Sequence, residues 1–287
     1  MPKDRPKQIG LMKAKPLEDN LISKLTPSCF AQRKFRGQHA MTRWVDNEFP
    51  VLISSYGNTF HYLSRIEAYL RSLPPLPYVG ELYCHDLSQQ DINSILNRTV
   101  NPHPDVDKVQ YIIFDLATDE PQSVRFMQLD TLDLPALNSI FPVAYAGYEL
   151  ITPGYWSHYA AKYLREGYEG IILRDLYAPY SPLDPQALAK RPSTILKWKP
   201  NETDEYKIVA CIEGTGWAEG MLGSFLVEDE SGVQFSVGTG RVFTKANRKR
   251  LWDQRYTLPG RTLVTKHEAN INTADGIPIC TSGWEVI

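Results

Sequence analysis

The side chains of this 287-residue chain that could carry out chemistry lie at intervals along it. Gln32-Arg33-Lys34-Phe35-Arg36-Gly37 ends a strand-like run on a lysine, with a glycine three residues later. An unprotonated lysine amine is a nucleophile. On an isolated K-x-x-G the default is nevertheless a solvated surface lysine. Glu81 in Gly80-Glu81-Leu82-Tyr83 and Glu169 in Glu169-Gly170-Ile171-Ile172-Leu173-Arg174 are carboxylates at strand starts. Such groups can accept from hydroxyls or ligate a hard cation, and each by itself also reads as an edge-strand charge. Lys197 and Lys199 flank Trp198, so strand alternation puts both ammonium groups on one face and the indole on the other. Phe114 closes the apolar run Tyr111-Ile112-Ile113-Phe114 and is core by default.

Two other signals fail on context. Glu213-Gly214-Thr215-Gly216-Trp217-Ala218-Glu219-Gly220 resembles a glycine-rich nucleotide loop, but it joins two strands and lacks the Lys-Ser/Thr that a phosphate cradle needs. Cys84-His85-Asp86 offers three ligand types, yet neighbouring strand residues point to opposite faces and cannot converge on one ion.

The positioning elements follow from periodicity. Strands are expected around Val51–Ile53, Gly80–Tyr83, Tyr111–Asp115 and Gly170–Arg174. Ile66, Tyr69, Leu70 and Leu73 fit one helix face, Ile92, Ile95 and Leu96 a shorter one, and Tyr159, Tyr163 and Leu164 a third. Strands and helices that do not alternate regularly indicate an α+β fold. Pro200-Asn201-Glu202-Thr203-Asp204 reads as a polar hinge. Beyond it, short strands and a helix N-capped by Thr244 suggest a small β-barrel such as an OB-fold. The expected division is residues 1–202, with a basic mobile arm up to about residue 27, and residues 203–287.

Composition narrows the function classes. The chain is 43% hydrophobic with a formal net charge of -2, so it builds a core and is no bulk polycation. A nucleic-acid partner would be held by local basic patches. Two stand out. The first is Lys3, Arg5, Lys7, Lys13 and Lys15; the second is Arg241, Lys245, Arg248, Lys249 and Arg250 with Arg255, Arg261 and Lys266. Cys29, Cys84, Cys211 and Cys280 are scattered, without a C-x-x-C pair. A reduced, cytoplasmic protein is expected. No signal peptide and no membrane span are expected.

The order K-x-x-G, G-E-L, F-D, E-G-I-I-L-R, L-K-W-K, hinge and small barrel resembles the ATP-dependent DNA ligases, in the superfamily that includes RNA ligases and capping enzymes. The resemblance runs from about Lys13 to Ile287 and is to the minimal phage and bacterial type. It implies a nucleotidyltransferase (adenylation) domain of mixed antiparallel sheets and helices, followed by the OB-fold. It also implies sealing of nicked double-stranded DNA by a monomer through a lysyl-AMP intermediate, with ATP and Mg²⁺ as cofactors. By the same resemblance Lys34 is the nucleophile, and Gln32, Arg33, Lys34, Glu81, Phe114, Lys197 and Lys199 bind ATP. Phe114 would stack on adenine, Glu81 hold the ribose, Glu169 bind Mg²⁺, and Lys197 and Lys199 neutralise the α-phosphate. Arg241, Lys245, Arg248, Lys249 and Arg250 would contact DNA.

The chain departs from the family at four places. Arg36 stands where an aspartate is usual and His39 where an arginine is usual. Ser54-Ser55-Tyr56-Gly57 lacks an arginine, and Ile279, Glu285 and Ile287 fill basic positions near the C-terminus. An RNA ligase, or a nick-binding protein impaired in catalysis, stays open on these residues.

Overall fold

The computed structural model describes residues 11–25, 27–181, 191–268, 277–278 and 281–287. Lys3, Arg5, Lys7, Cys280 and residues 273–276 of the altered C-terminal segment lie outside them. The chain divides at Lys199/Pro200 into two compact units.

Among the described residues the first unit holds ten strands and five α-helices. The strands are β1 (Lys15–Pro16), β2 (Cys29–Lys34), β3 (Gln38–Val45), β4 (Phe49–Ser54), β5 (Tyr78–Tyr83), β6 (Gln110–Leu116), β7 (Val143–Tyr145), β8 (Glu149–Ile151), β9 (Gly170–Asp175) and β10 (Ile195–Trp198). The helices are α1 (Asp19–Ile22), α2 (Ser64–Leu70), α3 (Gln89–Leu96), α4 (Gln122–Asp130) and α5 (Trp156–Arg165). The strands form two five-stranded sheets, ordered β1-β10-β9-β2-β8 and β4-β3-β5-β6-β7. Pairing is antiparallel except at β1–β10 and β6–β7. This is the mixed α+β architecture that irregular alternation of strands and helices implies.

Apolar periodicity explains the layers. Ile66 and Leu70 of α2, Ile92, Ile95 and Leu96 of α3, Phe126 and Leu129 of α4 and Tyr163 of α5 all enter one core with the inward faces of both sheets. Ser88 caps α3 by accepting from the Asp91 amide, while the Asp91 carboxylate accepts from the Ser88 amide. One expectation fails here. The segment just after residue 10 is no free arm, because Leu11 and Met12 are buried beside Val79, Tyr180 and Ile195, and Lys15 pairs with Leu196. Two apolar side chains in a row are enough to anchor a stretch otherwise read as basic and solvated.

The second unit contains β11 (Asn201–Glu213), β12 (Leu222–Glu228), β13 (Gln234–Val237), α6 (Lys245–Asp253), β14 (Thr262–Glu268) and β15 (Ser282–Val286). Its antiparallel sheet runs β13-β12-β11-β14-β15. The polar segment expected as a hinge is strand: Asn201 to Lys207 pair with Glu268 to Thr262, and from Lys207 onward β11 pairs with β12. A ready ladder partner overrides the turn propensity of Asn and Asp, and the exposed residues 201–205 satisfy their backbone through β14. The expected closed barrel is not formed among the described residues. β13 and β15 share no ladder, and their ends meet through the Gly283 amide donating to the Thr239 carbonyl at 2.7 Å. Thr244 caps α6, its hydroxyl accepting from the Asn247 amide, and Leu251 is buried while Trp252 packs partly buried against the same core.

Candidate functional site

Lys34, Glu81, Phe114 and Lys197 come from four strands of the two sheets of the first unit, and Glu169 immediately precedes a fifth, β9. On one sheet, Gln32, Ile172 and Lys197 lie in register across β2, β9 and β10, so all three project to the same face. Arg174 and Ile195 form the next row. Lys34 sits opposite Gly170 at the strand end. On the other sheet His39 of β3 pairs with Glu81 of β5. Phe114 has no partner on β5: Gly80 pairs with Ile113 and Val79 with Asp115, so Phe114 is the additional residue of a bulge. Bulges redirect side chains, and this one turns the ring into the cleft. Phe114 and Ile172 thus line one cavity of about 250 Å³ together with Lys34, His39, Glu81, Arg174, Arg191 and Lys197.

Glycine is required at the motif positions by close backbone approach. A Cβ on Gly37 would lie 2.2 Å from the Leu82 carbonyl oxygen, and one on Gly170 would lie 2.2 Å from that of Trp198. The first brings the Gly37 amide to the Glu81 carboxylate, which accepts from it at 3.1 Å. The second closes β9 onto β10 beneath Lys34.

Charge is concentrated at one end of the cleft. The Lys34 ammonium is bonded directly to Glu169, and Lys199 lies 3.2 Å from the other oxygen of that carboxylate. The Glu169 side chain is 7% exposed. Burial raises its pKa, but the Lys34 and Lys199 ammonium groups outweigh that and hold it below the ordinary carboxylate range. Burial, reinforced by Lys34, Arg191 and Lys199, lowers the Lys197 pKa to about 8. The result is a net-positive end where three lysines face one carboxylate. Glu81 behaves oppositely: burial pushes its carboxyl up to about 7, opposed by Lys34 and the Gly37 amide and aided by Glu169.

The Glu81 shift has a stability consequence. A folded-state pKa above the unfolded value means the native state binds the proton more tightly, so this group's contribution is lost as pH rises through about 7. Glu81→Gln keeps the acceptor for Gly37 and removes the titration. Its stability relative to the native protein should therefore improve between pH 5 and pH 8, measured by denaturant unfolding at both. A difference that does not change with pH would rule out the raised pKa.

Not every motif residue faces the cleft in the expected way. The Gln32 side chain, 2% exposed, donates to the carbonyls of Phe114 (3.2 Å) and Gly147 (3.0 Å) and accepts from Arg174 at 2.7 Å. It ties the strand of Lys34 to the strand of Phe114 and has little left for a ligand. The Arg33 side chain projects to the opposite face of β2, where it binds Glu166 at 2.8 Å and packs on the rings of Tyr163 and Tyr168.

Beneath Phe114 lies a buried ionic group that the sequence did not announce. Asp115, fully buried, accepts from Arg125 Nε at 2.8 Å and from Arg174 Nη1 at 2.8 Å, as well as from Gln122. The Arg174 guanidinium also lies 5.3 Å from the Phe114 ring centroid. Alternation within Gly170–Arg174 could have shown that Arg174 shares a face with Ile172. Nothing in the spacing of Asp115, Arg125 and Arg174 shows that the three side chains meet. Among the described residues no cluster of three or more His, Cys, Asp or Glu side chains gathers as a metal site.

Comparison with known proteins now adds to this geometry. No family model matches the sequence, and no curated protein does. The structure is similar to a Lig E DNA ligase, described as binding DNA with a minimal scaffold, with a TM-score of 0.75 and 23% identity over 97% of this chain and 99% of that one. It is similar to Pmar-Lig_PreS3 with a TM-score of 0.77 and 22% identity, covering 98% of this chain and 67% of the other. A third similarity is to the ATP-dependent DNA ligase of bacteriophage T7 in complex with ATP, with a TM-score of 0.54 and 14% identity over 99% of each chain. This chain has the DNA-ligase fold.

The second unit places the basic residues of that ligase-like chain unevenly. Arg241, Lys245, Lys249 and Arg250 are exposed. Arg248 is not free to reach outward. Its guanidinium donates to the carbonyls of Phe243, Leu222, Gly223 and Gly238 at 2.7 to 2.9 Å and so pins α6 to the sheet. Arg248→Ala should cost about 2 to 4 kcal/mol of stability by orphaning these carbonyls, whereas Lys249→Ala should stay within about 0.5 kcal/mol. Chemical denaturation of the two variants side by side checks the contrast; equal small losses would refute it. Among the described residues no helix is long and apolar enough to cross a membrane.

Proposed function

We propose that this protein is an ATP-dependent DNA ligase that seals nicks in duplex DNA through a lysyl-AMP intermediate. The observation that carries this reading is the cleft itself. Phe114 and Ile172 line it from the two sheets, Lys34 and Lys197 line it with them, and Glu169 pairs with both Lys34 and Lys199. A flat purine fits between an aromatic and an aliphatic wall, Glu81 is placed to accept from sugar hydroxyls, and the lysines meet phosphate oxygens as point cations.

In the first step the Lys34 amine attacks the α-phosphorus of ATP. A P–N bond forms, the bond to the β-phosphate oxygen breaks, and pyrophosphate leaves. The amine proton has the Glu169 carboxylate in direct contact to receive it. The AMP then passes to a 5′-phosphate, and a 3′-hydroxyl displaces it to close the strand. Lys197 and Lys199 offset the negative charge that builds on the transferred phosphoryl group.

Mg²⁺ is compatible with the donor set. It is commonly held by one or two carboxylates together with substrate phosphates and water, and Glu169 supplies one such carboxylate. When bound, the ion neutralises phosphate charge.

The second unit supports an OB-fold assignment by topology: five strands ordered third-second-first-fourth-fifth, a long bent first strand shared by both halves, and a helix between the third and fourth. Arg241, Lys245, Lys249 and Arg250 are proposed to contact DNA phosphates, with residues 1–202 acting as the adenylation domain and 203–287 as the clamp of a monomeric, cytoplasmic enzyme. Incubation with α-labelled ATP, followed by nicked DNA and nicked RNA in parallel, tests the reading. Label on the protein that is chased into sealed DNA supports it; label without sealing, or sealing of RNA alone, overturns it.

A further inference from the structure

Where the Arg33 side chain leaves β2 on the face away from the nucleotide cleft, a second cavity of about 670 Å³ opens. We propose that this cavity binds a small zwitterion, an α-amino acid with an apolar side chain, whose carboxylate meets Arg33 and whose ammonium meets Glu166. The site is separate from the nucleotide cleft and does not depend on the ligase reading.

The starting observation is a half-used ion pair. Arg33 and Glu166 both line the cavity, and Arg33 Nε donates to one Glu166 oxygen at 2.8 Å. Among the described residues no hydrogen bond engages the two terminal nitrogens of Arg33 or the other oxygen of Glu166. The guanidinium is held in direction by the rings of Tyr163 and Tyr168, whose centroids lie 5.0 and 5.4 Å away. The two side chains are 22% and 33% exposed, so each charge is felt more strongly than on an open surface. A lone anion entering here would be repelled by Glu166, and a lone cation by Arg33. A ligand that carries both charges, set against the pair in reverse order, satisfies both. An α-amino acid carries its carboxylate and its ammonium on one carbon, beside each other as the two partners are. The Arg33 fork matches the carboxylate. Glu166 caps the C-terminus of α5, where the helix dipole also favours a cation.

The rest of the lining suits the remainder of such a ligand. Leu134, Leu137 and Ala146 give an apolar wall for its side chain. Tyr145 lines the cavity too, and its hydroxyl is buried with no hydrogen-bond partner among the described residues. Asp130 acts on that hydroxyl electrostatically but is bonded to Tyr148 at 2.6 Å. A buried hydroxyl without a partner is costly, and a polar ligand group or a water relieves it. Mostly apolar walls with a few fixed polar groups are the usual make-up of a small-molecule site.

The test is titration of L-phenylalanine, L-leucine and L-tryptophan into the native protein, followed by saturation-transfer NMR. At least one should bind, in the millimolar range expected of so small a ligand. For that amino acid, the N-acetyl form lacks the ammonium and the carboxamide form lacks the carboxylate. Each should bind about 10-fold more weakly, the least that one charge-assisted hydrogen bond provides. In Arg33→Gln/Glu166→Gln, which keeps a neutral pair of similar size, the zwitterion and its two capped forms should bind alike. That comparison is made within one variant, so a general loss of structure cannot imitate it. Ala136→Trp, at an exposed position on the cavity lining, should block binding while leaving the unfolding temperature unchanged. Excess AMP should not displace the amino acid. No binding by any of the three overturns the proposal. So do capped forms that bind the native protein as well as the zwitterion does, binding that survives in folded Ala136→Trp, and displacement by AMP.

Discussion

Lys34→Ala is expected to abolish covalent AMP attachment while leaving the protein folded. The side chain lies at a strand end and is 18% exposed, its chief contact being the ion pair with Glu169. Removing it subtracts a nucleophile and little packing. The uncovering of Glu169 is limited, because Lys199 still pairs with it. Loss of a covalent nucleophile leaves no alternative route to the intermediate, so the drop in labelled protein should exceed about a thousandfold, equivalent to about 4 kcal/mol or more of barrier. Sealing of a nick that already carries AMP on its 5′-phosphate bypasses this step and should survive in part. Two measurements therefore decide: labelled AMP on the protein after incubation with ATP, and joining of a pre-adenylylated nick. Label retained on Lys34→Ala would assign the nucleophile elsewhere.

The second large effect is expected at Asp115, which is buried behind the cleft lining and does not itself line it. This carboxylate, 1% exposed, pairs two guanidiniums whose side chains are 0% and 4% exposed. Removing one partner of a buried ion pair costs about 3 to 5 kcal/mol because the remaining charge is uncompensated. Here two charges would be left facing each other. Against a typical total stability of about 5 to 15 kcal/mol, Asp115→Ala should unfold a large part of the protein at 37 °C. Deleting one of the positive charges as well relieves the imbalance. The double variant Asp115→Asn/Arg125→Gln should therefore be less destabilised than the sum of its single changes, by about 1 to 3 kcal/mol. Unfolding by circular dichroism across the four proteins measures this coupling. Additivity would mean that the two groups do not interact as the geometry requires.

These two expectations differ in how far the sequence alone leads to them. Lys34 is visible as a motif because strand end, lysine and glycine are neighbours in the chain. Asp115 is visible as the second residue of the F-D motif, but its ion-pair partners are not. Its partners lie ten and fifty-nine residues away, on α4 and β9, and nothing local says that three such side chains will meet.

The same division holds across the molecule. Periods of two and 3.6 residues located the strands of the cleft and the helices behind them, since burial of one face is a local, repeating demand. The cap at Thr244 was equally local. The mixed α+β class followed from such patterns, and the motif order picked out side chains that line the cleft. Tertiary structure alone decided the rest. The Phe114 bulge depends on the register between β5 and β6. The need for glycine at position 37 comes from the Leu82 carbonyl, brought close by another strand. Arg248 reads as one of three consecutive basic residues, but four carbonyls at the sheet end draw it inward. Pro200 to Asp204 read as a hinge, but β14 supplies a ladder for Asn201 to Asp204. A charged or polar side chain has several partners of similar chemistry within its reach. Which of them it takes is set by how distant strands align, and that alignment is a property of the whole fold.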